Sequence, residues 1–97
     1  VYCASKHAVD GFTKALAVDL KGYDISVNGV APTFVETEFT RKALSDPDFR
    51  SYIYGEILLN ELPATTDIAN AVLFLASEAS RFMTGTTLLV DAGWTAH

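Results

Sequence analysis

Two runs rich in β-branched and aliphatic residues, Ile25 to Val30 and Thr86 to Val90, stand far apart in the chain with helical patterns filling the space between them. A tight hairpin cannot join strands so separated, whereas a parallel pair with a helical crossover can. The first run is closed by Pro32 and the second by Asp91, Ala92 and Gly93. TLLV in the second is apolar enough to read as a strand covered on both faces, as parallel sheets require. The order predicted is helix, strand, helical insertion, helix, strand: an α/β chain.

Ala8, Val9, Phe12, Ala15, Leu16 and Leu20 recur at helical spacing, which predicts an amphipathic helix from about Tyr2 to Lys21 with Gly22 as its C-terminal cap. Between Glu38 and Leu62 the pattern is less regular and suits one or two short helices. Ser45, Asp46 and Pro47 form a cap-then-proline start, and Phe49, Tyr52, Ile53 and Ile57 follow at helical spacing. Beyond Pro63, Thr66 reads as an N-cap with Asp67 in the first turn, and Ile68, Ala71, Val72 and Leu75 continue a helix to about Ser77.

Two parallel strands leave edges and faces open. The first helix has only Val1 before Tyr2 and so lacks a cap, and at 97 residues a self-contained core is marginal. Residues 1–97 are therefore expected to be the C-terminal part of a larger α/β domain; the alternative is a small domain completed by self-association. The balance of 49% apolar to 20% charged residues is that of a globular protein. A net charge of −5 argues against a nucleic-acid partner, because such binding needs cations to neutralise phosphates. The apolar run Ala71 to Ala76 is too short to span a membrane, and no secretory leader pattern is present, so the expected location is cytoplasmic with no membrane partner. Cys3 is single, implies no disulfide and reads as a packing residue. No His, Cys and carboxylate cluster has metal-ligand spacing, so no metal is expected.

Tyr2 and Lys6 are four apart, so their tips can converge on one ligand. A phenol titrates near 10, and lowering it by about 3 units takes about 4 kcal/mol. A cation at about 4 Å supplies about that much at an effective dielectric of 20, so one lysine suffices to make a tyrosine a usable acid/base near neutrality. Taken alone, the pair is a weak signal, and two solvated helix positions are the better reading of it.

YCASKHAVDGFTKALAVDL, ISVNGVAP, VET, TDIANAVLFLAS and TGTTLLVDAGW occur in an order and spacing that resemble the short-chain dehydrogenase/reductase family. The resemblance covers nearly the whole chain and is weakest over Glu38 to Leu62. It implies a Rossmann-type doubly wound parallel sheet, of which this would be the C-terminal part, and an NAD(P)-dependent oxidoreductase that interconverts an alcohol and a carbonyl. Tyr2 would be the acid/base, while Lys6 would lower its pKa and hold the nicotinamide ribose. Pro32, Thr33, Val35 and Thr37 match the positions that lie against the nicotinamide of NAD or NADP. Two departures stand out: Pro32-Thr33 where Pro-Gly is usual, and Ala92 where a second glycine is usual. PTF resembles a branch that includes sugar, polyol and sugar-acid dehydrogenases.

The family's catalytic serine and its phosphate-binding glycine turn would precede Val1, so the chain alone is expected to be inactive. His7 points away from the Tyr2–Lys6 face and reads as a surface or interface residue; Glu36, Glu38 and Asp46 read as solvated charges. Phe39, Phe49, Tyr52 and Tyr54 suit either a substrate pocket or ordinary packing. The family commonly forms dimers and tetramers through the first helix, which implies a homo-oligomer acting on a small-molecule substrate. The rival expectation is a non-catalytic helix-mediated oligomerisation module or a degenerate family member.

Overall fold

The computed structural model describes residues 2–96, with side chains from Ala4 to Ala96. Val1, His97 and the side chains of Tyr2 and Cys3, with the packing role expected of Cys3, lie outside the described residues. Along the chain come helix α1 (Tyr2–Asp19), strand β1 (Gly29–Pro32), helices α2 (Glu38–Leu44), α3 (Pro47–Glu56) and α4 (Thr65–Leu75), and strand β2 (Thr87–Val90). Short 3₁₀ turns follow α4 at Glu78–Ser80 and β2 at Trp94–Ala96. The strands pair in one parallel two-stranded sheet, as the spacing of the two runs predicts. Among the described residues no helix is long and apolar enough to cross a membrane. The chain divides into two compact units, Val1–Val30 with Val72–Leu88 and Ala31–Ala71 with Leu89–His97.

In the first unit, α1 ends two residues before the expected Lys21, and the chain turns through Gly22 at φ +92°. Its covered side runs through Thr13, buried, and the half-buried Leu16, Ala17 and Leu20, while Val9 and Phe12 remain 63% and 67% exposed. The apolar stripe read from the sequence is thus wider than the surface this unit covers. Burial of Thr13 is tolerated because its hydroxyl donates to the Val9 carbonyl at 2.9 Å.

The first strand starts at Gly29 and not at Ile25. Before the ladder begins, backbone and side-chain partners are mixed: the Val27 carbonyl accepts the Gly85 N–H at 2.7 Å, while the Val27 N–H donates to the Thr84 hydroxyl at 3.0 Å. Asn28 donates from Nδ2 to the Met83 carbonyl at 2.9 Å and accepts the Thr86 N–H on Oδ1 at 3.3 Å. Regular pairing follows with the Gly29 N–H on the Thr86 carbonyl at 2.9 Å. From α1, Asp10 accepts the Thr87 hydroxyl at 2.8 Å and pairs with Lys14 at 3.2 Å. That hydroxyl, ahead of the lysine, holds the Asp10 carboxyl below its ordinary pKa.

In the second unit, Leu44, Ile53, Ile57 and Leu62 form the buried core, with Phe34, Phe49, Tyr54, Ala92 and Trp94 packed against it. Asp46 caps α3 by accepting the Asp48 N–H at 3.0 Å, with Pro47 in the first turn as predicted. The expected cap at Thr66 is corrected: α4 already begins at Thr65, and Asp67 reaches back to accept the Ala64 N–H at 2.8 Å. A carboxylate placed there satisfies a backbone donor just ahead of the helix.

After β2, Asp91 accepts the Gly93 N–H at 3.0 Å, the Thr95 N–H at 3.1 Å and the Thr95 hydroxyl at 2.6 Å. This bends the chain so that Ala92 sits at φ +52° and Gly93 at φ +89°. The Ala92 carbonyl then accepts two N–H groups, from Leu58 at 2.8 Å and from Leu59 at 3.2 Å. Ala92, which stands where the resembled family usually has glycine, therefore carries left-handed strain. A Cβ on Gly93 would lie 2.8 Å from Cβ and Cγ of Leu58.

Replacing Ala92 by Gly is expected to raise unfolding stability by up to about 1 kcal/mol in urea titration, because a left-handed non-glycine residue is relieved. Gly93→Ala should lower it by about 2 kcal/mol or more, since both the backbone angle and Leu58 resist the methyl group. Asp91 supplies a pH test. The Thr95 hydroxyl, ahead of the backbone N–H groups of Gly93 and Thr95, lowers its pKa from the ordinary 3.8 even though burial opposes this. A depressed carboxylate contributes stability that is complete above its unfolded pKa and is lost as the pH falls through the folded value. Asp91→Asn should accordingly be less stable at neutral pH and show a shallower loss of stability on acidification below the ordinary carboxylate pKa.

Candidate active site

Lys6 lies in the second turn of α1 and is exposed; the backbone of Tyr2 opens the same helix, so the i, i+4 relation holds as the sequence predicts. The Tyr2 side chain is outside the described residues. His7 is exposed beside them. These residues belong to the first unit, whereas Pro32, Thr33, Val35 and Thr37 belong to the second, and each set is built by its own local structure.

Pro32 is the last residue of β1, where its missing N–H ends the ladder and releases a half-buried loop over residues 33–37. Among the described residues, the non-glycine residues with positive φ are Asp24 and Ala92 alone. Thr33 therefore occupies ordinary backbone space, and the freedom of a glycine is not used at that position. Phe34 anchors the loop by meeting the Phe49 ring edge-on, with centroids 5.6 Å apart. The Glu36 N–H donates to the Pro63 carbonyl at 2.9 Å, and Glu36 forms an isolated parallel bridge with Ala64. Glu36 also pairs with Arg41 at 3.4 Å, so it is more than a solvated charge; so is Asp46, the cap of α3.

Thr37 caps α2, accepting the Thr40 N–H on its hydroxyl at 3.1 Å. Thr40 answers with its own hydroxyl, which accepts the Thr37 N–H at 2.6 Å and donates to the Val35 carbonyl at 2.7 Å. The two hydroxyl oxygens are 3.1 Å apart. Thr40 is the residue that the sequence reading missed. The signal was present as T-x-x-T, a hydroxyl version of the reciprocal capping box, immediately ahead of a helix.

Of the four aromatic pocket candidates, Phe49 and Tyr54 pack against the core and Arg50 covers the Tyr54 ring at 4.4 Å. Phe39 is 88% exposed, and the exposed Tyr52 meets Trp94 edge-on at 6.3 Å. An open cleft of about 720 Å³ in the second unit is lined by Leu59, Leu62, Pro63, Asp67, Leu89 and Asp91 among others, and by none of the residues singled out for chemistry. Both aspartates there are engaged by the backbone hydrogen bonds described above, and the cleft brings no convergent set of reactive groups.

A family model described as enoyl-(acyl carrier protein) reductase matches residues 1–95. The L-xylulose reductase of Caenorhabditis elegans is 42% identical over 94 residues, covering 97% of this chain and 38% of its own length. The chain belongs to the short-chain dehydrogenase/reductase family. Its fold is the Rossmann-type α/β fold of short-chain dehydrogenases. A 4-hydroxyisoleucine dehydrogenase solved with NADH superposes at TM-score 0.92 and 35% identity, over 99% of this chain and 40% of that one. A protein of Agrobacterium tumefaciens assigned as a 2-deoxy-d-gluconate 3-dehydrogenase, with bound NADP, superposes at 0.90 and 38% identity, over 99% and 39%. The chain thus spans a little over a third of the length of the curated relatives it matches.

In this short-chain dehydrogenase/reductase the loop after β1 depends on the Thr37 cap. Thr37→Ala should lower stability by about 1 kcal/mol in urea titration, and Thr37→Ser should recover most of the loss.

Proposed function

We propose that residues 1–97 are the C-terminal part of a cytoplasmic NAD(P)-dependent oxidoreductase that interconverts an alcohol and a carbonyl on a small molecule, of the sugar, polyol or sugar-acid class. The reading is carried by the likeness over almost the whole chain to a dehydrogenase solved with NADH. Similarity to an L-xylulose reductase and to the Agrobacterium protein supports the substrate class.

The loop fits a nicotinamide. Among the described residues, the Val35 N–H has no acceptor, and the Thr37 hydroxyl, which accepts the Thr40 N–H and has the Thr40 oxygen at 3.1 Å as an acceptor for its proton, keeps a lone pair. An N–H donor beside a hydroxyl suits a primary carboxamide, which offers one carbonyl acceptor and an NH₂ donor. Thr33 lies in the loop at ordinary backbone angles. The cofactor, when bound, supplies the hydride chemistry. In this proposal Tyr2 gives a proton to, or takes one from, the substrate oxygen, Lys6 keeps that phenol usable near neutrality, and Pro32, Thr33, Val35 and Thr37 fix the plane of the nicotinamide ring. A homo-oligomer built on α1 belongs to the same proposal, with the exposed Val9 and Phe12 as an apolar face left for a partner or for the rest of the domain.

Tyr2→Phe in the full-length protein should lower kcat by about 10²–10⁴-fold in an assay of nicotinamide absorbance against a panel of sugars, polyols and sugar acids. Residues 1–97 expressed alone should give no turnover. Full activity in the Tyr2→Phe variant would remove the proposed acid/base. Sedimentation that shows assembly together with no cofactor binding by the full-length protein would favour the oligomerisation module instead.

A further inference from the structure

We propose that Thr40, which need not touch any ligand, is the positioning residue that makes the loop over residues 33–37 selective for a carboxamide. The inference rests on the nicotinamide reading of that loop and adds a residue and a mechanism to it. One side chain serves both ends of the segment: the Thr40 hydroxyl donates to the Val35 carbonyl at 2.7 Å and accepts the Thr37 N–H at 2.6 Å. A hydroxyl has a single proton, and the shortest acceptor available to it is the Val35 carbonyl. The Thr40 oxygen, its own proton committed to Val35, is then an acceptor 3.1 Å from the Thr37 hydroxyl, which leaves Thr37 a lone pair for a ligand.

The consequence is a sorting of polar groups. Among the described residues, Val35 has its acceptor satisfied inside the loop and its donor left over; Thr37 has its backbone N–H satisfied and one hydroxyl lone pair left over. The Thr37 carbonyl is also taken, by the Arg41 N–H at 2.9 Å, as the first bond of α2. Without the Thr40 hydroxyl, the Val35 carbonyl and the Thr37 N–H would need other partners, and the peptide units that carry the two ligand-facing groups would lose their fixed tilt. A donor and a hydroxyl held at a set separation recognise an amide, whereas the same groups on a loose loop recognise it weakly.

The test compares NADH with ADP-ribose, which keeps the adenosine, pyrophosphate and ribose but lacks the nicotinamide. Titration calorimetry on the full-length protein should show that Thr40→Val, nearly isosteric and without a hydroxyl, weakens NADH about tenfold or more and leaves ADP-ribose within about twofold. Thr40→Ser should restore NADH affinity because it keeps the hydroxyl. Equal losses for both ligands in Thr40→Val, or failure of Thr40→Ser to rescue, would reduce Thr40 to a helix cap and overturn the proposal. Unchanged NADH affinity in Thr40→Val would overturn it as well. A wild-type protein that binds ADP-ribose and NADH equally well would overturn the nicotinamide reading of the loop itself, before any variant is compared.

Discussion

The side-chain amide of Asn28 ties together the two segments that become β1 and β2. It donates to the Met83 carbonyl and accepts the Thr86 N–H beside the backbone bond from the Gly85 N–H to the Val27 carbonyl, so side chain and backbone together set the register of β1 against β2. In a parallel pair this register determines the level at which each strand releases its following loop, and in open α/β sheets ligands gather at those carboxyl ends. An aliphatic residue at position 28 would leave the Met83 carbonyl and the Thr86 N–H without these partners.

Element order and type were legible because the signals were local and repeated: helical spacing in α1 and α4, two β-rich runs, and the Asp46-Pro47 start of α3. Boundaries that depend on remote partners were not. Ile25 to Val27 have strand-like side chains, yet the bond made by Val27 N–H goes to a threonine hydroxyl more than fifty positions along the chain, which no local pattern reveals. Thr66 was a reasonable cap until Asp67 proved able to reach the N–H of Ala64.

At the candidate site the residue types were legible and their internal wiring was not. The i, i+4 placement of Tyr2 and Lys6 follows from helix geometry alone. For Thr37 the sequence marked a ligand contact, while the structure adds a second duty as the cap of α2. Of the two departures from the family pattern, Thr33 sits at ordinary backbone angles, whereas Ala92 is the strained one. Next to Thr33, the Phe34 ring is packed on Phe49 and against the core of the second unit.

The Ala92 carbonyl, acceptor for both Leu58 and Leu59, gives this fold a direction in time. A ribosome makes the segment holding α2 and α3 first, and the acceptor that fastens its trailing end emerges about thirty residues later, on the order of seconds at ordinary elongation rates. Until then Leu58 and Leu59 lack the acceptor that the folded chain gives them.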